Sequence, residues 1–203
     1  HGIPRADHIL KEGDIVSLDA GLIYKGYHSD AARTHAVGNI SEEAKKLIEV
    51  TRRSFFEGIK AATEGNHLHD ISAAIDDYVS GFGYGIIRDL VGHGIGTSLH
   101  EDPQIPNFRQ KRKGVRLQAG MTLAVEPMIA MGGWQVNWLD DAVNIYEPLE
   151  MADEKTVEEY YKDQDACYTI TVNEVKEEAA IPAIRDVIGD TNCMSGSSVE
   201  SVV

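Results

Sequence analysis

Apolar residues alternate with polar or small residues along positions 15–24, and this period of two predicts a β-strand. Residues 25–26 then supply a Lys-Gly turn signal, and residues 27–37 are predicted to return beside the first strand. The first part of the chain is therefore expected to be a β-hairpin with a two-residue loop.

The apolar positions then follow a helical period, which predicts two amphipathic helices. The first is expected from Ser41, a good N-terminal cap, to about Ala62, and the second spans residues 69–80. Polar residues make the stretch 103–116 a predicted loop. Short apolar runs predict further strands at residues 86–91, 123–128 and 167–172.

The register of the hairpin would place two carboxylates together. If the loop has two residues, Gly21 pairs with Asp30, and Asp19 lies on the same face two residues along from Gly21. Such diagonal neighbours are roughly 7–8 Å apart, so both side chains can reach one cation. Two anions this close repel each other without a cation between them, and we therefore interpret the pair as metal ligands rather than as a solvated turn.

A second stretch of the chain repeats the pattern around Asp19. Residues 13–19 and 120–126 both begin with glycine, continue with an apolar alternation and end on an acid, Asp19 or Glu126. The repeat suggests two halves related by pseudo-symmetry. Pro127 restricts Glu126 to extended backbone geometry, which would hold a third carboxylate in one direction.

Between these acids, His93 lies in a run of glycines. Gly92 and Gly94 flank it and permit the close backbone approach that a site loop needs. A lone histidine is more often structural than a ligand, but this one accompanies three candidate carboxylates. His100 follows seven residues later, and the pattern leaves open whether it contacts metal or substrate.

Carboxylates with one imidazole are typical of sites for Mn, Fe, Co or Zn, and three carboxylates exceed what one ion needs. The ligand set therefore favours two divalent ions that share an activated water. Only Cys167 and Cys193 could supply thiolates. This excludes a cysteine-rich structural zinc site and a disulfide framework, and it fits a reducing cytosol.

Charge and hydropathy exclude further classes of function. The formal charge of −14 argues against nucleic acid as a partner, because phosphate binding needs a basic surface. Residues 140–178 hold 13 acids and 3 lysines, so most of the charge lies in one segment, which we interpret as a solvated surface. No apolar run reaches the roughly 20 residues of a membrane span, so no membrane partner is expected.

Together these motifs resemble the type I methionine aminopeptidases of the pita-bread metallopeptidase family. The resemblance runs over residues 1–141, and the matching segments are residues 1–4, 13–19, 26–34, 92–103 and 126–128. It implies an α/β (α+β) pita-bread fold of two pseudo-symmetric halves, with an antiparallel central sheet flanked by helices. Residues 1–175 would form the metallopeptidase domain, incomplete at its N-terminus, and residues 176–203 a partly disordered tail.

The resemblance also implies roles for individual residues. The implied ligands of two divalent ions (Co, Mn, Fe or Zn) are Asp19, Asp30, His93 and Glu126. Glu126 and His100 would act in catalysis, and His1 and His100 would contact the substrate. The implied enzyme is a cytoplasmic, monomeric methionyl aminopeptidase that removes the N-terminal methionine from nascent polypeptides and could associate with the ribosome.

The sequence departs from the family pattern after residue 141. The family expects a fifth ligand, a glutamate on a late strand, but Val157 stands at the matching spacing. An insertion of about ten residues would bring Asp165 or Cys167 there instead. Two other functions stay open. A peptidase that acts beside proline would have the same fold and share the same ligands, and the missing fifth ligand would fit a catalytically impaired relative that binds peptides.

Overall fold

The computed structural model describes residues 8–136 and the backbone of residues 169–171. Its first two elements form the predicted hairpin. Strand β1 (Ile15–Tyr24) and strand β2 (Tyr27–Ala36) pair antiparallel along their whole length and form a two-stranded sheet of their own. The predicted hairpin is therefore confirmed to within one residue at its end.

The turn of this hairpin sets the register of the two strands. Lys25 and Gly26 have φ angles of 48° and 86°, the left-handed values that a tight two-residue hairpin turn requires. Gly21 consequently pairs with Asp30, as predicted. Asp19 pairs with Ala32, two residues further along the ladder.

Two helices follow the hairpin, α1 (Glu42–Ile59) and α2 (Leu68–Ser80). The hydroxyl oxygen of Ser41 accepts a hydrogen bond of 3.1 Å from the backbone N–H of Ala44, which confirms the predicted cap. Helix α1 ends three residues before the expected Ala62, and α2 begins one residue earlier than expected.

Replacing the cap residue Ser41 by alanine should lower the free energy of unfolding by about 1 kcal/mol. The Ala44 N–H then loses its acceptor, while the remainder of the helix is unchanged. Urea titration followed by circular dichroism measures the effect. Ser41→Gly is the matched comparison and should cost only a few tenths of a kcal/mol, roughly, because glycine is itself tolerated at this position. Equal costs for both variants would contradict this account of the cap.

Short strands complete the described fold. They are β3 (Gly85–Ile86), β4 (Gly92–Gly94), β5 (Glu101–Ile105), β6 (Thr122–Ala124), β7 (Ile129–Ala130) and β8 (Thr169–Thr171). Strand β3 pairs with β7, and the order in a four-stranded sheet is β5-β4-β6-β8. Each described strand pair is antiparallel, as expected.

Some of the predicted strand boundaries are wrong. The strand expected at residues 86–91 stops at Ile86, and the strand expected at 123–128 stops at Ala124. Pro127 has no N–H to donate to a ladder, so the strand could not run through to residue 128 as predicted. The loop expected at 103–116 is wrong at its start, because Pro103 lies in β5, at the edge of the sheet where proline is tolerated. The strand expected at 167–172 is confirmed for residues 169–171.

The core joins the two helices to the four-stranded sheet. Phe55 on α1 and Ile71 and Ile75 on α2 are almost completely buried, and they belong to one cluster with Ile105 of β5 and Leu123 of β6. The sheet that carries His93 thus packs on the two helices through a buried apolar cluster. Within the described ranges, neither helix has the length and apolar character needed to cross a membrane.

The two copies of the glycine-to-acid pattern begin with the same local geometry. Gly13 and Gly120 have φ angles of 96° and 89°, and each lies two residues before a strand. The copies differ at their other ends, because Asp19 lies inside β1 whereas Glu126 lies two residues beyond β6.

Candidate metal centre

Three of the predicted site residues come together from separate elements. Asp30 lies on β2, His93 is the central residue of β4, and Glu126 follows β6. The Nε2 atom of His93 is 3.4 Å from Oδ2 of Asp30 and 3.2 Å from Oε1 of Glu126. One donor atom from each of the three residues lies within 4.8 Å of the other two. This separation suits three ligands around a single cation.

The hydrogen bond of His93 Nδ1 fixes the orientation of the imidazole ring, and with it the direction of Nε2. Nδ1 is 2.8 Å from the carbonyl oxygen of Gly94, and a carbonyl oxygen can only accept. The Nδ1–H therefore donates to Gly94, which directs Nε2 towards the two carboxylates. Ligand histidines in metal sites are commonly held in this way by a backbone carbonyl.

The three side chains are largely withdrawn from water, with 8% (His93), 14% (Asp30) and 16% (Glu126) of their surface exposed. Burial lowers the pKa of His93, but the nearby carboxylates of Asp30 and Glu126 outweigh this effect and raise the pKa to about 10. Burial raises the pKa of Glu126, and the negative charges of Asp30 and Asp19 add to the increase, whereas His93 opposes it. The cluster therefore has an excess of negative charge that a cation would balance.

One atom of the cluster supports metal binding directly. Oε1 of Glu126 is buried and has no correctly aligned hydrogen-bond donor, although His93 Nε2 is 3.2 Å away. Hydrogen bonds weaken steeply when bent, so this contact does not satisfy the oxygen. An unsatisfied buried carboxylate oxygen is costly, and a divalent cation would supply the missing partner. The chemistry of the donors and this orphaned oxygen both fit a divalent metal ion.

Asp19 is placed near this group but does not belong to it. It is exposed on β1, and its carboxylate is not among the three that share the 4.8 Å cluster. It is still close enough to raise the pKa of Glu126 by charge repulsion. A role for Asp19 as a ligand therefore stays a prediction, and it requires a second ion beside the cluster.

His100 lies against the cluster of candidate ligands and lines a cavity. Its ring centroid is 4.2 Å from that of His93, and the two planes meet at 61°. Both histidines line a cavity of about 480 Å³, together with Glu101 and Gln104 among other residues. The side chain of Glu101 accepts a hydrogen bond of 2.8 Å from the N–H of Ser98, which holds the loop that carries His100. His100 is thus placed for contact with a molecule in the cavity.

Comparisons with known proteins agree with this geometry. The sequence model of metallopeptidase family M24 matches residues 1–147. The chain belongs to this family. Membership in a metallopeptidase family implies the use of divalent metal, which the donor set of the cluster supports.

The M24 relatives most similar in sequence include methionine aminopeptidases from bacteria. The chain is 55% identical to the Clostridium acetobutylicum enzyme over 136 residues, which are 67% of this chain and 54% of the relative. It is 49% identical to methionine aminopeptidase 1 of Bacillus subtilis over 141 residues, which are 70% of this chain and 56% of the relative. The predicted resemblance to methionine aminopeptidases is confirmed, and the chain spans about half the length of these relatives.

Solved M24 structures share the fold. The methionine aminopeptidase of Thermotoga maritima superposes with a TM-score of 0.70 and 40% identity, covering 86% of this chain and 66% of that chain. The prolidase of Pyrococcus horikoshii OT3 superposes with a TM-score of 0.54 and 27% identity, covering 62% of this chain and 36% of that chain. The expected pita-bread fold of mixed helices and antiparallel sheets is confirmed.

Several predicted site residues lie outside the described residues. These are His1, expected to contact the substrate, and Asp165 and Cys167, the candidates for a fifth ligand. The predicted domain boundary at residue 175 and the tail 176–203 also lie outside them. Strand β8 has its backbone paired with β6, so the late strand of this family member adjoins the strand that leads to Glu126.

Asn107 is not among the residues that the sequence of this M24 chain singles out. Its side chain is fully buried, and its Nδ2 donates a hydrogen bond of 2.6 Å to the backbone carbonyl of Glu126. No local pattern marks it, because it lies in a stretch of polar residues that predicts a loop. A buried side-chain amide directed at a candidate ligand is visible only after the strands are paired.

Proposed function

We propose that this chain carries the metal centre of an aminopeptidase that removes methionine from the N-terminus of nascent polypeptides. The observation that carries the proposal is the convergence of Asp30, His93 and Glu126 next to a cavity lined by His100. The 55% identity to a methionine aminopeptidase supports methionine as the residue removed. Nascent chains as substrates would place the protein in the cytoplasm, and its monomeric state and association with ribosomes stay predictions.

We infer that the centre holds two divalent ions, from Co, Mn, Fe or Zn. Asp30, His93 and Glu126 would bind one of these ions, and Asp19 together with Asp30 would bind the second. The two carboxylates lie on neighbouring strands of one hairpin, in the register that places such side chains on the same face. When bound, divalent ions lower the pKa of a water and polarise a carbonyl oxygen.

Proton transfer and substrate binding would be carried out by side chains of this chain. Glu126 is the candidate that takes the proton of the attacking water and passes it to the leaving amine, because its carboxylate is buried beside the cluster. His100 lies at the cavity, where it can donate a hydrogen bond to the carbonyl oxygen of the peptide bond to be cleaved. His1 is predicted to contact the same substrate.

A comparison of two peptides tests the proposed function. The chain loaded with Co(II) or Mn(II) should release methionine from Met-Ala-Ser and should leave an X-Pro peptide, in which X is a residue other than methionine, largely intact. The likeness to a prolidase structure makes cleavage beside proline the competing result. Release of the residue before proline instead would favour the alternative peptidase. Failure to cleave either peptide by folded, metal-loaded protein would favour a peptide-binding relative and would overturn the proposal.

The number of ions should depend on Asp19. Elemental analysis after equilibration with Mn(II) should find close to two ions per chain, and Asp19→Asn should reduce this to one, because an amide is a much weaker metal ligand than a carboxylate. Asp14→Asn is the control, since Asp14 accepts a hydrogen bond from Lys11 N–H in a turn, and asparagine can still do so. Two ions in Asp19→Asn would show that Asp19 is no ligand.

A further inference from the structure

We propose that Asn107 is a positioning residue that fixes the backbone of Glu126 and thereby directs its carboxylate into the metal centre. This inference rests on the proposed function for the meaning of the carboxylate, but its geometry is independent of the substrate. The step from Asn107 to the metal passes through the main chain of Glu126. It involves no contact between Asn107 and the ions.

The topology of the sheet brings the two residues together. Strands β5 and β6 both pair antiparallel with β4 and therefore run parallel to each other on its two sides. Gly92 is the first residue of β4 and pairs with Ile105, the last residue of β5. Beyond this point β4 no longer separates its neighbours. Asn107 and Glu126, each two residues past the end of its strand, face each other across the resulting gap.

The side chain of Asn107 crosses this gap with a direct hydrogen bond. Its Nδ2 lies 2.6 Å from the carbonyl oxygen of Glu126, and the side chain is fully buried. The orientation of the amide follows from chemistry, because only its nitrogen can donate to a carbonyl oxygen. Burial removes water as an alternative donor, so substitution of Asn107 would leave the Glu126 carbonyl without this partner.

The backbone of Glu126 is constrained on its other sides as well. Pro127 restricts Glu126 to extended geometry. A Cβ added to Gly92 would lie 3.4 Å from the backbone nitrogen of Glu126, so β4 closes the space on that side. With the carbonyl held by Asn107, the peptide planes on both sides of the Glu126 Cα have fixed directions, and so does its Cα–Cβ bond. The side chain starts from this bond, so its direction limits the positions that Oε1 can reach, among them the one 3.2 Å from His93 Nε2.

The inference predicts a loss of metal affinity when the donor is removed. Asn107→Leu keeps the approximate shape and removes the hydrogen bond. Its dissociation constant for Mn(II), measured by isothermal titration calorimetry, should rise roughly 10- to 100-fold, the usual effect of losing a partner that orients a metal ligand. At saturating Mn(II), kcat on Met-Ala-Ser should fall, whereas KM should stay within about threefold, because the substrate contacts are elsewhere. Asn66→Leu is the matched control, since Asn66 Nδ2 also donates to a backbone carbonyl, that of Ala61, in an exposed loop.

A double-mutant cycle separates positioning from general damage to the fold. If Asn107 acts through Glu126, adding Asn107→Leu to Glu126→Gln should change the Mn(II) affinity by less than about threefold. Equal losses in both backgrounds would overturn the inference, as would a folded Asn107→Leu with the affinity of the original chain. Asn107→Ser, which is smaller, provides the same comparison if the leucine variant does not fold. If the original chain binds Mn(II) but cleaves no peptide, the proposed function fails while the affinity measurements still decide the role of Asn107.

Discussion

Replacing Glu126 by glutamine should lower kcat for Met-Ala-Ser by roughly 10²- to 10⁴-fold, the range expected when a general acid or base is lost. Glutamine has nearly the same shape, so the backbone hydrogen bond from Asn107 and the packing of the strand should persist. An amide can neither take up a proton near neutral pH nor bind a divalent ion as a carboxylate does. One carboxylate is expected to take up the proton and to bind the metal. Its replacement therefore removes both functions at once, and the effect on activity should be large.

Two measurements make this prediction specific. Circular dichroism should show an unchanged fold, and calorimetric titration should show weaker Mn(II) binding. Glu57→Gln is the control, because Glu57 pairs with Lys60 on the exposed face of α1, and its loss should leave kcat unchanged. A Glu126→Gln variant with the kcat of the original chain would remove Glu126 from the mechanism.

The hairpin could be predicted from the sequence because its determinants are local. A two-residue loop with left-handed φ angles at Lys25 and Gly26 fixes the register without help from the remainder of the chain. That register placed Asp30 correctly on β2. It did not determine the rotation and twist of the hairpin towards β4, and so the sequence could not show that Asp30 reaches His93 while Asp19 stays outside the cluster.

The later strands depend on contacts that are distant in sequence. The apolar run after Gly85 was predicted as one strand, but Ile86 pairs with Ile129 in a separate small sheet, and the chain then turns before it joins the main sheet at Gly92. Each short segment is a strand only because a partner from another part of the chain lies beside it. Asn107 was missed for the same reason, since its role arises from the pairing of β5 with β4.

Three of the four candidate ligands still come together in the structure, because their chemistry constrains them more than their secondary structure does. Acids at the ends of apolar runs and a histidine between glycines have few stable arrangements without a cation. His93 and Glu126 therefore converge although the predicted strands around them were too long. Gly92, which precedes His93, allows strands β4 and β6 to approach closely, and its replacement should therefore have a large effect on stability and activity.

Replacing Gly92 by alanine should destabilise the fold by about 1–3 kcal/mol, the usual cost of overpacking a core. The added Cβ would lie well inside the van der Waals contact distance from the Ala124 carbonyl oxygen, a backbone atom that no side-chain rotation can move away. Strands β4 and β6 would have to separate, and they carry His93 and lead to Glu126, respectively. Because a displacement of about 1 Å in an active site can cost roughly 10²-fold in rate, activity should fall by about that factor.

Gly132→Ala isolates this steric effect from the loss of a glycine as such. A Cβ at Gly132 meets no atom within 4 Å, so the thermal midpoint and activity of the Gly132→Ala variant should match those of the original chain. Gly92→Ala should instead show a lower thermal midpoint together with weaker Mn(II) binding, since both follow from the same separation of strands. A stable Gly92→Ala variant that binds Mn(II) normally would mean that the contact between β4 and β6 is looser than the structure places it, and the position of Glu126 relative to His93 would have to be revised with it.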